Sequence, residues 1–121
     1  MSVVTPEQVE RRLKELSKLI DEAHDQLVDS EANYHTSKAE YELEMAAVRI
    51  EFANKSSPTG KNYTVGERDD MALLQNRKLH REVATNEAIV KANRANVARL
   101  RVQVDIARSI GTSVRTGMDA S

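Results

Sequence analysis

Hydrophobic residues recur at every seventh position along two long segments of the chain, and few helix breakers interrupt either segment. A seven-residue repeat places its members on one side of an α-helix, whereas a half-buried strand would alternate apolar and polar residues. The pattern therefore predicts two long amphipathic helices. The row in the first segment consists of Leu13, Ile20, Leu27, Tyr34, Tyr41 and Val48, and the row in the second of Val83, Val90, Val97 and Val104.

Local signals mark where these helices begin and end. Thr5 before Pro6 is a typical N-cap followed by proline at the first helical position, and Gln8 is placed to return a capping-box hydrogen bond. Thr64 with Glu67 forms a second capping-box pattern. Gly111 is a natural helix stop. The signals predict a single helical domain over residues 1–121, with a helix at 6–53, a loop at 54–64, a helix at 65–110 and a tail at 111–121.

The two helices match each other when they run in opposite directions. If facing residues have numbers that add to about 120, the apolar rows meet along their length, and Asn54 faces Gly66 where the loop closes. Charge favours the same pairing, because residues 1–54 carry six basic and twelve acidic groups while residues 55–121 carry twelve basic and seven acidic groups. The expected fold is all-α, a long antiparallel, coiled-coil-like helical hairpin.

The middle of the predicted seam is polar. It brings Ser30, Tyr34 and Ser37 of the first helix against Asn86 and Asn93 of the second. Buried asparagine in a coiled coil fixes register at a cost in stability, and we favour that interpretation over a small ligand or water site.

Each helix carries a second apolar stripe that a two-helix seam leaves uncovered. Such stripes usually mark association surfaces, so we expect a helical bundle oligomer. The alternative is a three- or four-helix fold within one chain, made by a break near Ser30 or Asn86. The expected interface residues are Ala88, Ala92, Ala95, Val102, Ile106, Ile110, Leu43 and Ile50.

Candidate catalytic chemistry is sparse. The chain has no cysteine, its three histidines have no metal-binding spacing, and Gly60-Lys61 lacks the earlier glycine of a phosphate loop. We therefore expect no enzyme activity, no catalytic residue, no cofactor, no metal and no small-molecule substrate. No apolar run approaches the roughly 20 residues that span a bilayer, so we expect a cytoplasmic protein that does not associate with a membrane.

The sharpest candidate for binding is a row of arginines at seven-residue spacing in the second helix. Guanidinium groups about 10 Å apart on one helix face could follow a phosphate backbone and bind nucleic acid without sequence preference. The alternative, which we favour, is that the acidic first helix neutralises the row within the fold or in a neighbouring subunit. The candidate nucleic-acid-binding residues are Arg94, Arg101, Arg108, Arg115 and Lys91.

The final stretch Leu100 to Arg115, with the helix, polar loop, helix layout, resembles small all-helical proteins of tailed bacteriophages that infect actinobacteria, often encoded among early or recombination genes. The resemblance implies a protein of the host cytoplasm that acts beside DNA-processing enzymes, and it carries over no catalytic residues.

Together these observations favour a non-enzymatic, self-associating helical interaction protein, and the arginine row makes an accessory role on DNA a candidate beside it. The alternative function is a structural or assembly factor that binds a partner protein through the second apolar face.

Overall fold

The computed structural model describes residues 4–120, and their side chains as far as residue 118. It contains three packed helices: α1 spans Pro6–Ala53, α2 spans Val65–Gln75 and α3 spans Arg77–Ala120. Over the described residues there is no β-strand, only an isolated bridge between Ser56 and Asn62 in the loop. The chain is therefore all-helical, as the seven-residue pattern predicts.

Both capping boxes form as the sequence predicts. Thr5 Oγ1 accepts from the Gln8 backbone N–H (3.2 Å), and the Gln8 side chain accepts from the Thr5 N–H (2.9 Å). Thr64 and Glu67 make the equivalent pair of bonds at the start of α2 (3.1 Å each). These bonds satisfy N–H groups that the first helical turn leaves without a partner.

The second arm differs from the prediction of one helix over 65–110, because α2 ends at Gln75 and Asn76 separates it from α3. The Asn76 side chain is buried, and its Nδ2 donates to the Ala72 carbonyl (2.9 Å) and contacts the Met45 sulfur (3.8 Å). An asparagine amide that bonds a main-chain carbonyl competes with regular helix, which accounts for the single non-helical residue between α2 and α3. The break predicted as the alternative, near Ser30 or Asn86, is wrong because α1 and α3 are continuous there.

The predicted helix stop at Gly111 is also wrong, since α3 continues to Ala120 and includes most of the expected tail. Gly111 is buried in the helix interior, where a Cβ atom would lie 2.9 Å from Cγ1 of Val9. The missing side chain lets α3 approach α1 closely, so this glycine serves packing rather than termination.

Over residues 4–120 the chain separates into two compact units. Unit 1 comprises residues 4–29 and 91–120, and unit 2 comprises residues 30–90. Each has its own apolar cluster: Leu16, Ala23, Val97, Leu100 and Ala107 in unit 1, and Met45, Val48, Phe52 and Ala72 in unit 2.

Within each unit, side-chain contacts join residues that lie far apart in the sequence. In unit 1 the side chains of Arg12 and Gln103 meet, and Asn93 bonds the Gln26 carbonyl. In unit 2, the rings of Tyr41 and His80 meet edge to face, and Arg49 pairs with Asp69. The residue numbers in these four pairs add to between 115 and 121.

Candidate interaction surfaces

The polar layer of unit 2 is a bonded network. Asn86 Nδ2 donates to Ser37 Oγ (3.0 Å), and Ser37 Oγ donates to the Tyr34 carbonyl (3.0 Å). Because buried polar groups stabilise a fold only when they are satisfied, this network fits the register-fixing interpretation. An open depression of about 290 Å³ lies beside it, lined by Asn33, Thr36, Ser37, Glu40, Glu82 and Asn86.

The three histidines are held by neighbouring side chains. His35 lies against the Tyr34 ring and His80 against the Tyr41 ring, with ring centres 5.4 and 5.6 Å apart. His24 contacts Arg101. Across the described residues, no three carboxylate or imidazole groups come close enough together to hold a metal ion.

The first apolar surface lies on α1 in unit 2. Leu43 and Ile50 point away from the unit's core, with exposed fractions of 71% and 63%. The other residues on the same side of α1 are alanines and a threonine, and they are exposed as well. We call this surface the α1 outer face, and it consists of Ala32, Thr36, Ala39, Leu43, Ala46, Ile50 and Ala53.

The second apolar surface lies on α3 in unit 1. Val102 and Ile106 have exposed fractions of 56% and 54%, and Ile110 follows one turn later. An apolar groove of about 230 Å³ lies beside Ile110, and Val4 and Val9 also line it. All eight expected interface residues are exposed, including Ala92 and Ala95 on this face and Ala88 in unit 2.

Sequence reasoning missed the exposed apolar residues of α2. Val65, Leu73 and Leu74 face solvent, because only the Ala72 side of this short helix packs in the core. With 11 residues, α2 is too short for a seven-residue repeat to distinguish its buried side from its exposed side.

The basic row lies on the exposed surface of α3 in unit 1. Arg94, Arg101, Arg108, Arg115 and Lys91 are all exposed. Arg101 Nη2 lies 3.3 Å from His24 Nε2, and because a guanidinium only donates, the histidine nitrogen accepts in this contact. Arg115 and Glu10 both line a second groove, which lies beside Gly111. One end of the row therefore lies near an acidic group, while Arg101 faces an imidazole.

Comparisons with protein families, curated proteins and solved structures give no significant match. Over the part of the chain that the structure describes, no helix has the length and apolar character needed to cross a membrane.

Proposed function

We propose that this chain is a non-enzymatic helical interaction protein that associates with copies of itself. The observation that carries the proposal is the exposure of large aliphatic side chains on helix faces opposite the core, at Leu43 and Ile50 on α1 and at Val102 and Ile106 on α3. Removing such side chains from water is worth about 1.5–3 kcal/mol for each one fully buried. Helix-on-helix association is the simplest way to cover faces of this shape.

For the whole chain we propose the antiparallel hairpin that the sequence predicts, assembled into a helical bundle. The antiparallel contacts within each unit, at one shared register, support it. The resemblance to phage proteins stays a prediction.

Sedimentation velocity over a wide concentration range tests self-association. We expect a mass above the monomer's 13.6 kDa that rises with concentration. A 13.6 kDa species at every concentration would contradict the proposal and favour the assembly-factor alternative, in which a partner protein covers the same faces.

A second candidate function is nucleic-acid binding in unit 1. The exposure of Arg101 and Arg108 on consecutive heptads supports it. If four guanidinium groups contact phosphates, log K should fall with log salt concentration with a slope near −3.6, from about −0.9 per contact on duplex DNA.

A mobility assay over a salt series tests this function. We expect the Arg101→Glu, Arg108→Glu double variant to lose binding. The Arg77→Glu, Arg81→Glu variant has the same charge change at exposed positions of unit 2, and it should retain most of the affinity. Equal loss in both variants would indicate a general charge effect rather than a site.

A further inference from the structure

We infer that the α1 outer face binds the same face of a second copy in the antiparallel direction, with Leu43 against the partner's Ala46 and Ile50 against the partner's Ala39. This inference rests on the proposed self-association and names the surface and the register.

The α1 outer face has the spacing of a coiled-coil seam. From Ala32 to Ala53 its members alternate steps of four and three residues, and every one of them is exposed. One row is small, with Ala39, Ala46 and Ala53 in successive heptads, and the other contains Leu43 and Ile50. This seam is separate from the seam that packs α1 on α2 and α3, whose α1 residues in unit 2 include Met45, Val48 and Phe52.

The size of these side chains selects the antiparallel direction. In a parallel pair, each residue meets its own copy, so Leu–Leu and Ile–Ile layers would alternate with Ala–Ala layers and require uneven helix spacing. In an antiparallel pair, the large row meets the alanine row, and every layer has a similar volume. Uniform layers allow close packing along the whole seam.

Three antiparallel registers satisfy this size rule, and charge selects between the two that have the longer helix overlap. If Leu43 lay against the partner's Ala39, the two copies of Glu42 would lie side by side, and so would the two copies of Glu40. If Leu43 lies against the partner's Ala46, Glu42 lies beside the partner's Arg49, and symmetry makes this pair twice. Repulsion between like charges disfavours the register with Leu43 against Ala39, whereas attraction between opposite charges favours the register with Leu43 against Ala46.

Arg49 is able to pair with Glu42 of the other copy while it bonds Asp69 in its own chain. Its Nε bonds Asp69 at 2.8 Å, and about half of its side chain remains exposed. A guanidinium has five N–H donors, so the groups that do not bond Asp69 are able to bond a carboxylate from another copy.

The seam is short. Residues 36–53 of each copy overlap in this register, or roughly 27 Å of helix at 1.5 Å per residue. Two helix faces of this length bury less than the roughly 1,200–2,000 Å² of a stable, specific interface. The expected dimer is therefore weak, and its population depends on concentration.

Because the chain has no cysteine, introduced thiols report the register directly. In a variant with both Ala39→Cys and Ile50→Cys, mild oxidation should give a covalent dimer. These positions are too far apart along one helix to bond within a chain, since a disulfide needs Cα atoms within about 7 Å. The Ala32→Cys, Ile50→Cys variant matches the rejected register, and Ile50→Cys alone matches a parallel pair, so neither should cross-link.

Two further variants separate the surface from the fold. Leu43→Glu should abolish the concentration-dependent mass, whereas Leu74→Glu, an exposed apolar site on α2, should not. Glu42→Arg should weaken the dimer, and adding Arg49→Glu should restore it. Circular dichroism of each variant checks that the helices remain folded.

The outcomes distinguish the two proposals. A wild-type chain that stays monomeric overturns the proposed self-association together with this inference. An oligomer that survives Leu43→Glu, or that cross-links through the Ala32 pair or Ile50 alone, overturns only the inference, and association then occurs through another face or register.

Discussion

Gly111 is a residue at which tertiary packing overrides local propensity. Alanine favours a helix interior by about 1 kcal/mol over glycine, so propensity alone predicts that Gly111→Ala is stabilising. In the structure the new methyl group would lie 2.9 Å from Cγ1 of Val9, whose β-branched side chain has little freedom to move. We expect a net loss of about 1–2 kcal/mol of unfolding free energy, measured by urea unfolding, because overpacking costs about 1–3 kcal/mol.

Gly117 provides a matched control for this substitution. It also lies in α3, and nothing lies within 4 Å of the position that its Cβ would occupy. Gly117→Ala should therefore leave stability unchanged or raise it by up to about 1 kcal/mol. If both alanine variants change stability equally, close approach of Val9 is not the reason for glycine at position 111.

The contribution of the hydrogen bond between Ser37 and Asn86 to stability can be measured directly. Alanine at either position removes the same 3.0 Å bond, so the two losses should not add. A double-mutant cycle should give a coupling of about 0.5–1.5 kcal/mol, the net value of a hydrogen bond in a folded protein. Combining Asn86→Ala with Thr112→Ala, whose hydroxyl bonds the Arg108 carbonyl in unit 1, should give additive losses. A coupling near zero for the first pair would contradict a role of that bond in fixing register.

Neither Asn76 nor Gly111 could be assigned from sequence. Asn76 interrupts the second arm because its amide reaches the Ala72 carbonyl and the Met45 sulfur, and the second contact depends on how α1 packs. Gly111 has the same residue type as a helix stop, and only the position of Val9 shows its other role. In both cases a tertiary contact decides between two structures that local chemistry allows.

At the scale of elements, local signals were sufficient for the starts of α1 and α2, but not for the start of α3 at Arg77. The Thr5 and Thr64 caps act within four residues of sequence, so they could be predicted without knowledge of the fold. The cap of α2 is a good test of such local signals, because a helix of only 11 residues has little stability of its own.

Thr64→Ala should destabilise the chain by about 1 kcal/mol, because it removes the bond to the Glu67 N–H and leaves that donor without its cap. Thr64→Ser keeps the hydroxyl and should differ from wild type by less than about 0.5 kcal/mol. Urea unfolding followed at 222 nm measures both. Equal stability of the alanine and serine variants would show that the capping box adds nothing to α2.

At the scale of the whole molecule, the heptad rows predicted part of the core, including Val48, Val90 and Val97, but neither Met45 and Phe52 nor the division of the core into two clusters. Leu16 and Leu100 belong to the cluster of unit 1, and Val48 to that of unit 2, although Leu16 and Val48 occupy the same long helix. A seven-residue repeat shows which side of a helix is buried, whereas the strength of packing along it depends on the residues that face it. The same seven-residue reasoning predicted the exposed apolar faces. The residue pattern of one chain does not specify which molecule covers them.

The two clusters lead to a prediction about local opening. Leu16 is almost fully buried in unit 1, so Leu16→Ala should cost about 2–5 kcal/mol through lost burial and a cavity. If each cluster stabilises mainly its own unit, hydrogen exchange should accelerate strongly at residues 13–27 and 97–107 and much less at residues 45–52. Exchange measured by mass spectrometry separates these segments, and Leu74→Ala, at an exposed site, should accelerate neither. Equal acceleration in both units after Leu16→Ala would mean that the helices open as one cooperative body, because local opening in one cluster would then require loss of the other.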